Sequence, residues 1–194
     1  MKPKAYVVTQ GPANGEVFKR CLPERLTSEV YFAQGGGWSS AMSLAGSILA
    51  VKERPVALVV DAESEHEAVI EERRGFTRSF LRQTSVAVPF EVFLAIPEIE
   101  VLLFQSKPLL SRLTDKTISD VQFEAARHHP KKWLAAAGID YPKDVTRLLN
   151  RLTEEDLATL RSHELIRGLS DFLTRVLADN ASPPGRDYRR TVQI

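Results

Sequence analysis

Apolar positions fall into two textures along the chain. In the first hundred residues, short apolar runs alternate with segments whose apolar residues recur every three or four positions. Strand side chains alternate between faces, whereas helix side chains return to one face at the longer interval. The first texture therefore predicts βα units and an α/β fold with a mainly parallel sheet flanked by helices. Strands are expected near Ala5 to Thr9, Glu29 to Ala33, Pro55 to Val60 and Val88 to Ala95, and helices over Glu16 to Leu22, Trp38 to Val51 and about His66 to Arg82. Val56-Ala57-Leu58-Val59-Val60 is apolar at every position, as a strand covered on both faces must be, and this places it in the middle of the sheet.

From about Glu98 the strand patterns stop. Leu109-Leu110-x-x-Leu113, Leu148-Leu149-x-x-Leu152 and the run from Leu165 to Leu177 repeat at helical spacing. The chain thus divides into an α/β domain over 1–106, a C-terminal helical extension over 107–180, and a basic tail over 181–194. In the tail, Pro183-Pro184-Gly185 precedes Arg186, Arg189 and Arg190, and mobility is expected there. The amphipathic segment Leu165 to Leu177 is expected to pack on the sheet domain or its neighbouring helices, with docking to a partner subunit as the lesser reading.

A length of 194 residues accommodates one core with a helical annex. Apolar residues at 43% and charged residues at 26% exclude a disordered or fibrous chain. A formal charge of +1 leaves any polyanion-binding surface to local charge distribution. Cys21, the sole cysteine, lies on the apolar side of a short helix and reads as a buried structural thiol. Met1-Lys2-Pro3-Lys4 runs straight into a strand pattern and no apolar run reaches membrane-spanning length, so a cytoplasmic location without a membrane partner is expected.

Candidate chemistry gathers at the turns that follow the strands. Asp61 and Glu63 stand two apart directly after the apolar strand, and in extended chain such a pair faces one way as a hard-oxygen site for Mg²⁺ or Mn²⁺. The competing account is that Asp61 or Ser64 caps the next helix while Glu63 is solvated. Glu98 and Glu100 follow the fourth strand, where the positive end of a helix dipole would also favour acids. The Gly11-Pro12 and Gly35-Gly36-Gly37 turns match no phosphate-loop fingerprint and read as plain βα turns. In a parallel sheet all these turns share one edge, the edge where ligands bind.

The order of these segments carries a family resemblance. Val8-Thr9-Gln10-Gly11-Pro12-x-Asn14 resembles the first TOPRIM motif, a strand followed by Glu-Gly, and Val59-Val60-Asp61-Ala62-Glu63-Ser64 resembles the second, Asp-x-Asp. Gly37 to Ala45 is similar to the helix before that strand in overcoming-lysogenization-defect nucleases, and Ile96-Pro97-Glu98-Ile99-Glu100 to a later acidic motif in that group and its small stand-alone relatives. The resemblance spans about the first half of the chain. It implies a metal-dependent nuclease of an antiviral or DNA-processing system. Asp61, Glu63 and Glu100 would hold Mg²⁺ or Mn²⁺, Gln10 would stand at the general acid/base position, and Lys107 would neutralise phosphate. It also implies a partner ATPase, since no ATPase motif is present here, and admits a homodimer.

Three positions depart from the pattern. Gln10 replaces the catalytic Glu, Asn14 replaces a second acid, and Glu63 replaces an Asp. An amide cannot exchange a proton at neutral pH, although its oxygen still accepts hydrogen bonds. An attenuated member and an isosteric Glu-to-Gln replacement both fit, as does a missing acid supplied by Glu16. Phosphate contacts would come from Lys107 and from the cluster Arg127-His128-His129-Pro130-Lys131-Lys132, chiefly Arg127, Lys131 and Lys132. His128-His129 lacks zinc-ligand spacing and reads as a helix terminus. The rival reading is a non-catalytic TOPRIM-like scaffold or regulatory subunit that binds a partner ATPase. A receiver-type phosphoacceptor domain ranks third, because paired acids are missing after the first strand.

Overall fold

The computed structural model describes residues 2–84 and 87–179. The basic tail with Arg186, Arg189 and Arg190 lies outside the described residues. Four strands, β1 (Ala5–Thr9), β2 (Val30–Gln34), β3 (Val56–Asp61) and β4 (Phe90–Ala95), form one sheet in the order β2-β1-β3-β4. Every pairing is parallel, with Thr9 opposite Val59 and Asp61 opposite Ala95. β1 and β3 are buried at every position, whereas β2 and β4 are partly open, as interior and edge strands should be. The fully apolar strand is thus interior to the sheet.

Two apolar layers cover the sheet. Tyr6, Val8, Leu58 and Val60 point into one with α3 (Trp38–Ser47) and α4 (Glu67–Thr84). α3 continues as a π-helical turn over Ile48–Lys52 and not as α-helix to Val51. Val7, Ala57 and Val59 point into the other layer with α1 (Pro12–Cys21), α2 (Glu24–Thr27) and most of the C-terminal half. That half comprises a 3₁₀ turn (Ile99–Phe104), α5 (Lys107–Thr114), α6 (Asp120–His128), α7 (Pro130–Ala136), α8 (Tyr141–Leu149), α9 (Glu154–Ser162) and α10 (Glu164–Asp179). Leu110, Leu148, Leu169 and Leu173 join Val7 and Val59 in a single apolar cluster, so one core crosses from the α/β part into the helical part. No described helix is long and apolar enough to cross a membrane.

α1 begins four residues before the expected Glu16, because Pro12 fits the first turn of a helix, where its missing N–H would be unpaired anyway. The turn after β1 shrinks to Gln10 and Gly11 as a result. Cys21 ends that helix fully buried, with its thiol pKa pushed up to about 11 by burial, which suits an inert core thiol. Arg161 of α9 donates from Nε to the Cys21 carbonyl at 3.0 Å and ties the helical half to α1.

Gly35 sits where α3 passes close to the end of β2, and a Cβ there would run into the backbone of Ala41. Backbone cannot swing aside as a side chain can. Gly35→Ala is therefore expected to lower stability by about 1–3 kcal/mol, read as a drop in the urea midpoint. An unchanged midpoint would mean that α3 is free to shift.

Candidate functional site at the carboxyl edge of the sheet

At the carboxyl ends of the strands the chain leaves β1 for α1 on one face and leaves β3 for α4 on the other. Neighbouring strands that diverge in this way open a crevice between their ends, the usual ligand position in an open parallel sheet. Gln10 follows β1 and Asp61 ends β3, so both stand at this switch point. They are joined directly, since Gln10 Oε1 accepts a short hydrogen bond from the Asp61 backbone N–H.

Asp61 is only 2% exposed. Its Oδ1 accepts from the Ile99 N–H at 3.0 Å, and its Oδ2 lies 2.5 Å from Lys131 Nζ. The same ammonium is 3.9 Å from a carboxylate oxygen of Glu98 and 3.9 Å from Glu100 Oε2. Glu98 also accepts from the Lys131 backbone N–H at 3.0 Å, pinning the start of α7 to the acidic edge. Three carboxyl groups, one ending β3, one just before the 3₁₀ turn and one within it, thus converge on one cation supplied by the helical half.

Electrostatics distinguish the members. Burial raises the Glu100 carboxyl from its ordinary 4.5 to about 8, with Lys131 opposing the rise and Asp61 adding to it. Burial works against the Lys131 charge, but the Glu100 and Asp61 carboxyls outweigh it and hold its pKa above normal. Glu100 Oε2 is sealed from solvent without a hydrogen-bond partner, as is the hydroxyl of Tyr141, whose pKa burial also raises. Such orphaned groups are rare in folded proteins and mark a site under stress or awaiting an occupant.

Glu63 does not join this group. The strand ends at Asp61, and Glu63 has φ 53°, a left-handed conformation that turns the chain out of extended geometry. Its half-exposed carboxylate meets Arg73 Nη1 at 3.2 Å, and Arg73 Nη1 also donates to the Asp61 carbonyl at 3.1 Å. The guanidinium lies 5.2 Å from the Trp38 ring centre. The alternation that would make Asp61 and Glu63 parallel holds only inside a strand. Ser64 Oγ accepts from the His66 N–H in the turn before α4, while the Asp61 carboxylate is taken up by the Ile99 N–H and Lys131.

The remaining candidates scatter. Lys107 at the start of α5 pairs with Asp120 at 2.5 Å instead of reaching the carboxylates. Arg127 lies 3.7 Å from Glu124 within α6, Lys132 is exposed on α7, and His128 Nδ1 meets Glu65 at 2.6 Å. Asn14 is buried in α1, and Glu16 pairs with Lys19 at 2.8 Å on the helix surface, so Glu16 supplies no acid to the edge. Among the described residues, no three His, Cys, Asp or Glu side chains surround a common metal position. Lys131 stands between the carboxylates instead. Its partnership with Asp61, seventy residues away in the chain, leaves no trace in local spacing. Comparison with protein-family models, characterised proteins and solved structures returns no match.

Proposed function

We propose that this chain is a TOPRIM-like, Mg²⁺- or Mn²⁺-dependent nuclease attenuated at Gln10, a cytoplasmic effector of a defence or DNA-processing system working beside an ATPase partner. The observation that supports this reading is the convergence of Asp61, Glu98 and Glu100 on one cation at the switch point of the sheet. Burying several carboxylates together is costly, and a fold keeps such a set where a cation is to be handled. Asp61 and Glu100 are hard-oxygen donors suited to a divalent ion, and Glu100 Oε2, which makes no hydrogen bond, lies 3.9 Å from the ammonium that such an ion would replace. A divalent ion bound there would neutralise phosphate charge and activate water. Asp61 is oriented for that task by the Ile99 N–H, and Lys131, once displaced from the carboxylates, stands ready to face a phosphate. Glu63 would need to leave Arg73 to contribute.

A second reading, a non-catalytic scaffold for the ATPase, draws support from the engagement of Gln10 with the Asp61 backbone and of Lys131 with the acids. The two readings separate on one experiment. Gln10→Glu keeps the oxygen that accepts the Asp61 N–H and adds an exchangeable proton. Plasmid DNA and total RNA are incubated with Mg²⁺ or Mn²⁺ and either the parent chain or Gln10→Glu. Metal-dependent cleavage is expected to rise at least about a hundredfold in the Glu form, the usual scale of one general acid/base. Inactivity of both forms, with no Mn²⁺ binding by calorimetry, would select the scaffold.

A further inference from the structure

β2 pairs with β1 alone among the described strands, and its other side faces an open groove. Two hollows of about 540 and 300 Å³ form this groove, the first reaching back to Glu24 and the second on to Gln34, and Lys19, Tyr31 and Phe32 line both. Tyr31 is 57% exposed, which leaves an aromatic ring uncovered beside the edge. The backbone is open as well. The Glu29 carbonyl accepts from the Lys4 N–H, and the Gly35 N–H donates to the Thr9 carbonyl. Backbone groups of successive strand residues point to opposite sides, so Tyr31 and Ala33 turn theirs toward β1 as Glu29 and Gly35 do, and Val30, Phe32 and Gln34 turn theirs into the groove. Such a row of unpaired N–H and C=O groups is a template for a further strand.

α10 leads toward this groove. Glu164 and Leu165 lie beside Ala95 and Ile96 at the end of β4, Gly168 and Phe172 meet Phe93, and the helix also packs on β3, β1 and α2, the short helix before β2. It thus crosses the sheet from β4 toward the amino end of β2, and residues 180–194 follow it. A strand beyond β2 would be reached over the face, and in the direction, by which α1 carries the chain from β1 to β2. α3 and α4 carry it the opposite way over the opposite face, so all these crossovers share one hand, as connections in parallel sheets do. A strand added from α10 beside β4 would have the other hand.

The sequence after α10 suits the place. Pro183-Pro184-Gly185 has a turn composition, and Tyr188-Arg189-Arg190-Thr191-Val192-Gln193-Ile194 is rich in strand-forming residues, with Tyr188, Val192 and Ile194 on one side of the alternation. Fully extended, residues 180–187 reach about 26 Å, more than the roughly 17 Å of β2 itself. Charge agrees too. Lys19 in the groove is paired with Glu16 at 2.8 Å, whereas Glu24 has no ion pair among the described residues, and Arg186, Arg189 and Arg190 are available to it. We propose that residues 188–194 add to the free edge of β2 as a fifth, parallel strand, received by the outward N–H and C=O groups of Val30, Phe32 and Gln34. The strand is parallel because α10 delivers the chain to the amino end of β2. This assignment does not depend on the nuclease reading.

Amide hydrogen exchange and ¹⁵N relaxation are measured by NMR on the full chain, on a chain ending at Gly185, and on Val192→Pro, which removes an N–H and disrupts strand pairing. In the full chain the Phe32 and Gln34 amides are expected to exchange at least about tenfold more slowly than in either variant, while the β4 amides at the opposite edge are unchanged. Backbone order parameters of Thr191, Val192 and Gln193 in the full chain are expected near 0.85, the level of rigid backbone. Values below about 0.6, the mobility that composition alone predicts for this segment, overturn the proposal, as does rapid exchange of Phe32 in the full chain. These two readings need only the full chain, so they decide the matter even where a variant unfolds. Sedimentation of the full chain is expected to give a monomer. A dimer that falls to a monomer when residues 186–194 are removed would seat the segment on a second copy and overturn the intrachain strand.

Discussion

Replacing Glu100 by Gln is expected to stabilise the fold at pH 8 and to remove most of its pH dependence between about pH 4.5 and 8, the ordinary and folded-state values of this carboxyl. In the unfolded chain the group loses its proton near the lower value, and in the folded chain burial retains it to the upper one. Between them the folded state binds a proton that the unfolded state does not, so raising the pH favours unfolding. The contribution of Glu100 is full below the lower value and is lost as pH rises through the upper one. Each pH unit across that window is worth up to about 1.4 kcal/mol, so the Gln variant should lead by roughly 3–5 kcal/mol at pH 8 and by little at pH 4.5. Gln keeps the shape and has no proton to lose. Urea unfolding of both proteins in EDTA at several pH values reads the difference, and parallel curves would show that Glu100 is not the source.

Lys131→Met should have the opposite sign. Asp61 is buried, and removing its partner leaves that charge unpaired beside Glu98 and the buried Glu100 carboxyl. Stranding a buried charge costs about 3–5 kcal/mol, and because the Lys131 side chain is itself 44% exposed the expected loss is about 2–4 kcal/mol at pH 7–8. Under the nuclease reading, Mg²⁺ or Mn²⁺ takes the vacated position, so millimolar metal should restore the melting temperature of Lys131→Met while leaving that of the parent nearly unchanged. Failure of metal to restore it would favour the scaffold reading.

Much of the fold is legible in the chain itself. The unbroken apolar run of β3, the helical spacing of Leu165 to Leu177 and the four strand patterns each follow from a local period, because a strand or a helix imposes its period on whichever residues face the core. The acids after β3 and β4 could also be placed on one edge, since parallel strands end together. Boundaries were less legible: Pro12 opens α1 early, and the π-helical turn over Ile48–Lys52 replaces a plain α-helical ending.

The sequence by itself determined the α/β class, the interior position of β3 and the placement of Asp61 and Glu100 at the edge where ligands bind. Only the tertiary structure decided which charges meet there. Lys131 reaches Asp61 across seventy residues because α7 packs against the 3₁₀ turn, and Lys107, nearer in sequence, pairs elsewhere. Glu63 leaves the group because the strand stops at Asp61 and the left-handed turn delivers its carboxylate to Arg73. The orphaned oxygens of Glu100 and Tyr141 likewise arise from packing between distant elements. Local periodicity fixes which residues face inward, but electrostatic partnership depends on distances that only the assembled chain defines.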